Sequence, residues 1–400
     1  MTRFATVGDQ TLAAAANFWL TISIGRAFAA EDLAAYGIGL SAGLIIQALQ
    51  RHALIIPFML EPRSRSQRRA GGMIGLQWII LAAAFIAGAA GVLAGERLDA
   101  PHYMQLVIGA SAVCFVIYAE LEFARAILVK LGTPLSLLAG SLYYAVLFAG
   151  LGSAVLMEWI GFPALLLSLA AGMTLHAVGV SLRTGAVRIG QGWALLCSHS
   201  RRYGVWSIVA TGTAAGYTHI PLLILGLLNP PIHAAAFVAT RSLMQPLQVL
   251  IRGLDIADKA GFAERPAAPH GRGGLHLALK LAGTYALVGS IFGLAVCFFA
   301  DTLLQLAYGS KFAGEGAALM AWVPVFILIS CMMPIESLVY ARRSFKAYYL
   351  ARAAGSAVAL GLAALLVFRF SEAGAILASA AGSFVAAAGA VLLLARGSRG

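Results

Sequence analysis

The chain has 400 residues, of which 60% are hydrophobic and 11% are charged, and its mean hydropathy is +0.86. Roughly 25% of the residues in a soluble domain are charged, so this composition excludes a soluble globular protein. The formal net charge of +12 is typical of a membrane protein whose loops carry the basic residues.

Twelve apolar stretches are long enough to cross a bilayer, because a helix rises about 1.5 Å per residue and the hydrocarbon layer is about 30 Å thick. We therefore predict an all-α polytopic membrane protein with about twelve transmembrane helices. The predicted spans are residues 9–29, 34–60, 71–95, 103–124, 134–157, 162–182, 204–228, 234–254, 275–300, 316–341, 348–370 and 374–395. The longest connections, 183–203 and 252–274, are too short for a soluble domain.

The distribution of Lys and Arg predicts the orientation, since positively charged loops stay in the cytoplasm. Of the 28 basic residues, 22 lie on one side of the predicted helices, 4 lie on the other, and Arg51 and Arg241 lie within spans. Both termini are therefore expected in the cytoplasm, with the protein in a bacterial inner membrane. The small-x-small run at residues 27–29 looks like a signal-peptidase site, but the segment before it carries little positive charge, so we expect no cleavage.

The two halves of the chain resemble each other at an offset of 201 positions. Ser41 then aligns with Ser242, Gln47 with Gln248, and Arg51 falls on an arginine as well. This match predicts two six-helix bundles, residues 1–190 and 191–400, as parallel repeats around a central cavity. Such an arrangement is suited to alternating access.

Four arginines are candidates for binding an anionic substrate. Arg51 and Arg241 lie close to the centres of their spans, whereas Arg26 and Arg252 lie near span ends. A charge at the bilayer centre costs roughly 2.5–3.5 kcal/mol on insertion scales, so it usually faces protein or water. The guanidinium group suits phosphate because it donates two parallel hydrogen bonds. The alternative is that each side chain extends to a lipid headgroup or pairs with a helical carbonyl.

Two pairs of glutamines could present amides to sugar hydroxyls. Gln47 and Gln50 in span 2, and Gln245 and Gln248 in span 8, are each about one helical turn apart. Each amide both donates and accepts hydrogen bonds. Hydrogen bonds between neighbouring helices explain the pairs equally well.

Two prolines are candidates for bends in the helices, and two histidines are candidates for lining a cavity. Pro221 and Pro246 lie inside spans 7 and 8, where a missing N–H can bend a helix. His52 and His219 could face the same cavity, although lone histidines in helical bundles usually have structural partners.

Three carboxylates are candidates for coupling transport to an ion: Glu120, Glu336 and Asp9. We expect Glu120 and Glu122 to pair locally with Arg125, and Glu336 with Arg342 and Arg343, which follow its span. Asp9 is expected to be the N-cap of helix 1. No carboxylate lies at the centre of a predicted span, so the sequence does not identify a coupling ion.

Other functional classes find little support. The basic run at residues 63–69 is explained by a cytoplasmic loop, so we expect no nucleic-acid partner. The four cysteines are scattered singly and suggest no metal site. There is no Gly-rich phosphate loop and no nucleophile elbow, so we expect neither an enzyme nor a cofactor.

Several segments resemble the Wzx-type polysaccharide flippases of the multidrug/oligosaccharidyl-lipid/polysaccharide exporter superfamily. The matching residues are Asp9-Gln10, Asn17-Phe18, Gly25-Arg26-Ala27, Ala35-Tyr36-Gly37, Ala236-Phe237-Val238-Ala239-Thr240-Arg241, Pro246-Leu247 and Leu306-Ala307-Tyr308-Gly309-Ser310-Lys311-Phe312. The resemblance extends over most of the chain, but its patterns are loose and include no catalytic signature.

The resemblance implies a flippase for an undecaprenyl-pyrophosphate-linked oligosaccharide in exopolysaccharide or O-antigen synthesis. Its partners would be the lipid-linked substrate and possible polysaccharide polymerase and co-polymerase proteins. Two alternatives stay open: an ion-coupled multidrug or small-molecule extruder of the same fold, and a non-transporting subunit of a polysaccharide assembly complex. The shortage of central carboxylates argues against a cationic drug as cargo.

Overall fold

The protein is built from helices, and the described part of the chain contains no strand. The computed structural model describes the backbone of residues 2–60, 63–131, 134–185, 187–251, 254, 272–342 and 345–397. The described residues of each of the twelve predicted spans lie mainly on helical segments. The chain divides into two compact units, Met1–Thr211 and Gly212–Gly400. The predicted division into bundles after residue 190 stays a prediction.

The first unit contains seven complete helices and most of an eighth that runs into the second unit. They are α1 (Thr2–Ala27), α2 (Ala30–Gln50), α3 (Ile56–Leu60), α4 (Arg63–Arg97), α5 (His102–Leu131), α6 (Pro134–Leu156), α7 (Phe162–Thr184) and α8 (Ile189–Thr218). A π-helical turn, Arg51–Ile55, joins α2 to α3. The predicted loop 183–203 is wrong over most of its length, because α8 begins at Ile189.

The second unit continues from the end of α8 with six further helices. They are α9 (Ile220–Leu228), α10 (Pro231–Leu243), α11 (Arg272–Phe298), α12 (Ala300–Tyr308), α13 (Gly316–Arg342) and α14 (Phe345–Gly397). Residues 245–251 continue the direction of α10 as a further helical segment. A non-helical residue, Ser371, divides α14 into two parts that match the last two predicted spans.

The lengths and compositions of these helices fit a membrane. Among the described residues, nine helices are long and apolar enough to span one, and ten if the bent pair α8–α9 counts as a single span. One of the nine is the kinked stretch Tyr348–Ala395, which covers two predicted spans. Large apolar side chains on the outside, such as Leu135, Leu182 and Phe298, are about four-fifths exposed. The chain is therefore an all-α polytopic membrane protein.

Equivalent helices pack against each other in the two units. In the first unit α5 packs against both α2 and α4, and α1 packs against α6. In the second unit α13 packs against both α10 and α11, and α9 packs against α14. The aligned residues Ser41 and Ser242 are both buried, as are Tyr36 and Phe237. These equivalent pairings agree with the internal repeat expected from the offset of 201 positions.

Close contact between α2 and α5 depends on two glycines one turn apart. A Cβ added to Gly39 would lie 2.6 Å from the backbone carbon of Ala110, and one added to Gly43 would lie 2.7 Å from the nitrogen of Phe115. Small residues four positions apart let two membrane helices approach closely, which matters because lipid provides no hydrophobic drive between them.

We predict that Gly39→Ala or Gly43→Ala lowers the free energy of unfolding by about 1–3 kcal/mol, because the added methyl group forces the two backbones apart. The measurement is thermal unfolding of the detergent-solubilised protein. Gly150→Ala is the matched control, since an added Cβ there meets nothing within 4 Å. Equal stability of all three variants would contradict this account of the contact.

Candidate functional site

The helix that joins the two units is broken at His219. Pro221 has no N–H to donate, and its ring would clash with the carbonyl group of residue 217 in a continuous helix. α8 consequently ends at Thr218 and α9 begins at Ile220, and the two helices meet at an angle of 57°. The bend predicted at Pro221 is confirmed. Pro246 follows a second interruption, the turn at Met244.

Arg241 lies in the last turn of α10, over an aromatic ring. Its Cζ atom is 5.7 Å from the ring centroid of Trp322. The indole is held in place because its Nε1 donates a hydrogen bond of 3.2 Å to Thr240 Oγ1 and its ring meets Phe237 edge-on at 4.8 Å. A fixed ring of this kind orients the guanidinium group and contributes roughly 0.5–2 kcal/mol of cation–π attraction.

No carboxylate among the described residues forms an ion pair with Arg241. His219 is close enough for its charge to interact with that of Arg241. The Nδ1 atom of His219 is buried and has no hydrogen-bond partner in the described part of the chain. A buried polar atom without a partner is costly, and so is an uncompensated cation in an apolar bundle. An anion bound beside Arg241 would relieve both costs.

Arg51 lies on the π-helical turn and is exposed. In this turn Ile56 N–H bonds to the carbonyl of Arg51, five residues back. Pro57 follows directly and has no backbone N–H, and the wider π-helical turn accommodates the hydrogen bond that is lost. His52, the next residue along, points its Nδ1 at Ala48 O, 2.7 Å away. Thr211 Oγ1 lies 3.4 Å from the same nitrogen, and the prediction that His52 faces a cavity stays a prediction.

The remaining predicted binding residues occupy varied positions. Arg26 is exposed in the last turn of α1. Gln245 and Gln248 are half-buried on the helical segment that follows Met244. Arg252 lies outside the described residues. The cationic path predicted from the four arginines therefore stays a prediction.

Gln47 and Gln50 are both buried in α2, and Gln50 belongs to a polar network. Gln50 Nε2 donates to Gln77 Oε1 at 2.7 Å, and Gln77 Nε2 donates to Glu120 Oε2 at 3.1 Å. On the other side of the carboxylate, His176 Nδ1 lies 3.2 Å from Glu120 Oε1. These four side chains from α2, α4, α5 and α7 form what we call the Glu120 network.

Two amide atoms beside this network have no partner among the described residues: Gln47 Nε2 and Gln50 Oε1. One is a donor and the other an acceptor, so together they could receive a single hydroxyl group. Both side chains are only 7% exposed. The prediction that these glutamines bind sugar hydroxyls is thus untested but chemically possible.

The predicted pairing of Glu120 with Arg125 is wrong, because Glu120 faces His176 on α7. The two residues are five apart on one helix, which turns their side chains about 140° away from each other. The expectation that no carboxylate lies at the centre of a span stays a prediction. α5 extends to Leu131, further than the predicted span, which places Glu120 about 5 Å from the middle of the helix.

Asp9 is the real partner of Arg125, and its predicted role as an N-cap is wrong. α1 already begins at Thr2, so Asp9 lies well inside the helix. Its Oδ2 atom is 2.7 Å from Arg125 Nε, and its Oδ1 accepts a hydrogen bond of 2.5 Å from Ser141 Oγ. Glu122 adds a weaker contact of 3.6 Å to Arg125. This ion pair joins α1, α5 and α6.

Glu336 on α13 interacts with residues that the sequence did not single out. Its charge interacts with Tyr348 and with Arg352, both on α14. Arg352 also lies over the Tyr348 ring, 5.1 Å from the centroid. The arginines expected as its partners have side chains outside the described residues.

A further acidic cluster occurs in the second unit, at helix ends predicted to face outward. His233 Nδ1 is 2.5 Å from Glu372 Oε2, beside the non-helical Ser371, whose Oγ accepts a hydrogen bond from Asn229 Nδ2. Burial raises the pKa of the nearby Glu315 carboxyl, and the Glu372 carboxylate raises it further, whereas His233 lowers it. No group of three or more His, Cys, Asp or Glu in the described chain is arranged to hold a metal.

Comparison with solved structures identifies the fold. The lipid II flippase MurJ, in an inward closed conformation, superimposes with a TM-score of 0.71 at 11% identity, over 98% of this chain and 87% of that one. The fold is that of transporters of the multidrug/oligosaccharidyl-lipid/polysaccharide (MOP) exporter superfamily. A MOP superfamily transporter from Pyrococcus furiosus gives a TM-score of 0.62 at 14% identity, over 98% of this chain and 94% of that chain.

The MATE branch is similar as well. The eukaryotic MATE transporter AtDTX14 gives a TM-score of 0.64 at 14% identity, over 98% of this chain and 93% of its own. No protein-family model and no curated protein sequence matches the chain. At these identities the MOP fold is established, while the cargo has to be inferred from this chain's own residues.

We predict that Asp9→Asn destabilises the protein, because it leaves the Arg125 guanidinium without its main partner. Removing one partner of a buried pair costs about 3–5 kcal/mol, and we expect a smaller loss here because Glu122 and partial exposure compensate Arg125. Thermal unfolding of the detergent-solubilised protein measures the loss.

The double variant Asp9→Asn/Arg125→Gln should recover part of that stability, since it removes both charges. Glu122→Gln serves as the control for loss of a carboxylate near Arg125. A double variant no more stable than Asp9→Asn alone would show that the ion pair does not account for the effect.

Proposed function

We propose that this protein flips an undecaprenyl-pyrophosphate-linked oligosaccharide from the cytoplasmic to the periplasmic leaflet of a bacterial inner membrane. The observation that carries the proposal is the uncompensated guanidinium of Arg241, oriented by Trp322 and adjacent to the unpartnered Nδ1 of His219. A pyrophosphate is dianionic or more at neutral pH and offers several acceptor oxygens, so it suits the guanidinium, and the tautomer of His219 that carries its proton on Nδ1 would add a second donor.

Two further findings support the proposal. The sequence resembles Wzx-type flippases around Arg241, and the fold is similar to that of the lipid II flippase MurJ. Within the first unit, Gln47 and Gln50 present an unpartnered donor and acceptor that would suit glycan hydroxyls. In this proposal the lipid tail stays in the bilayer while the polar headgroup crosses.

An ion-coupled extruder is the second candidate, and one observation favours it. Glu120 is a buried carboxylate close to the middle of α5, and the fold is also similar to that of MATE transporters. Its pairing with His176, however, leaves less negative charge for a cationic drug. A non-transporting assembly subunit would have no use for the unpaired charge of Arg241.

We predict that Arg241→Ala lowers the rate of flipping about tenfold or more, because a hydrogen bond to a charged group is worth about 1.5–3 kcal/mol. The purified protein is reconstituted into vesicles with the lipid-linked oligosaccharide, and an impermeant lectin reports the glycan that reaches the far leaflet. Arg241→Lys should recover the rate only in part, since an ammonium group lacks the planar fork.

Arg369→Ala is the matched control, because Arg369 also lies near an aromatic ring, 6.0 Å from the centroid of Phe370, but close to the Ser371 kink. It should flip the lipid at the rate of the unmodified protein. A normal rate for Arg241→Ala would remove the basis of the proposal. Export of cationic dyes in place of lipid-linked glycan would favour the extruder.

A further inference from the structure

A carboxylate and an imidazole face each other inside the first unit. Glu120 is 1% exposed and His176 is 8% exposed, and the two side chains are 3.2 Å apart. Among the described residues, Glu120 has no arginine or lysine within ion-pair distance. The charge state of the carboxylate is therefore set mainly by this one imidazole, in surroundings that penalise any net charge.

The groups around the pair are neutral or are paired elsewhere. α4 contributes the amide of Gln77, and α6 contributes the Tyr143 ring, whose centroid is 5.5 Å from that of His176. On α5 itself, Arg125 turns to Asp9 and Glu122 turns to Arg125. On the α2 side, Gln50 reaches the pair only through Gln77, and His52 bonds to its own helix. No second charge described here compensates Glu120.

One added proton makes the pair neutral overall, whether it resides on the carboxylate or makes the imidazole cationic. Without that proton, a carboxylate and a neutral imidazole carry one buried negative charge. Low dielectric surroundings disfavour that state strongly, so the proton can leave easily only when water reaches the pair. Binding and release of this proton are then linked to opening of the contact between α5 and α7.

The Glu120 network offers a way to transmit the change. In the present arrangement Gln50 donates to Gln77 and Gln77 donates to Glu120. When Glu120 Oε2 is protonated, it becomes a hydrogen-bond donor. The Gln77 amide then has to rotate, so that its Oε1 faces Glu120 and its Nε2 faces Gln50. Gln50 Oε1, which has no partner now, would then accept. Protonation of Glu120 Oε2 thereby reverses both hydrogen bonds between Glu120 and Gln50.

We propose that Glu120 and His176 together bind one exchangeable proton, and that this proton is the ion coupled to transport through the amides of Gln77 and Gln50. The proposal rests on the proposed function for its cargo but not for the proton site itself. Proton binding forms one O–H or N–H bond, and release returns the proton to water.

The proton site is tested first, without any cargo. Infrared difference spectroscopy of the full chain in membranes is recorded across a pH titration, following carboxyl and imidazole bands. The unmodified protein should show both bands changing together, and Glu120→Gln should abolish the carboxyl change. His176→Gln should shift its midpoint by about one pH unit or more, and Glu122→Gln should leave it unchanged.

Two results would overturn the proton site. One is a spectrum of the unmodified protein with no titrating carboxyl, which needs no variant to fold. The other is a carboxyl titration that persists in Glu120→Gln.

Coupling is tested by flipping in vesicles with an imposed pH gradient, acidic on the side that receives the glycan. For one coupled proton, the ratio of flipped to unflipped lipid should change up to about tenfold per pH unit, and Glu120→Gln should respond to no gradient. If the unmodified protein flips lipid but ignores the gradient, proton coupling fails while the proposed function stands. If the infrared titration is as expected but no lipid is flipped, the proposed function fails and the proton site stands.

Discussion

Each charge that these helices bury has to be neutralised within the protein, because lipid provides neither water nor counterions. The first unit satisfies this requirement with Asp9 and Arg125, whose pairing joins three helices. Glu120 and His176 form a second pair in this unit, and that pair is neutral only when it holds one added proton. The positions of the helices in the first unit are therefore linked to the pairing of a few side chains.

Arg241 departs from this rule, and that departure gives the second unit its functional interest. The neighbouring helix is broken by Pro221, and the break leaves His219 with an unpartnered ring nitrogen close to the guanidinium. Trp322 orients the guanidinium without neutralising it. A break in a helix, a ring nitrogen without a partner and a cation without an ion pair, as the described residues show them, are typical of a site that binds an anionic ligand.

The helices were predictable from the sequence because length and apolar composition are local properties. The bend at Pro221 was predictable too, since it follows from a single missing N–H and a single clash. The partners of the charges were not. Arg125 is close to Glu120 in sequence but points elsewhere, while His176 is 56 positions away and becomes its neighbour only when α5 packs against α7.

Gln77 is a polar residue within an apolar stretch, and this pattern could have indicated its hydrogen bonds to neighbouring helices. Its role depends on which face of α4 meets α5, and rotation about a helix axis is set by packing rather than by composition. The start of α1 before Asp9 escaped prediction because the polar residues around it resemble a cap.

The central claim is that the uncompensated charge of Arg241 serves an anionic lipid-linked cargo. The most direct measurement is equilibrium binding of an undecaprenyl-pyrophosphate oligosaccharide and of a cationic dye to the same purified protein. The account predicts saturable binding of the pyrophosphate lipid that the dye does not displace and that inorganic pyrophosphate weakens. Saturable binding of the dye, with none of the pyrophosphate lipid, would contradict it.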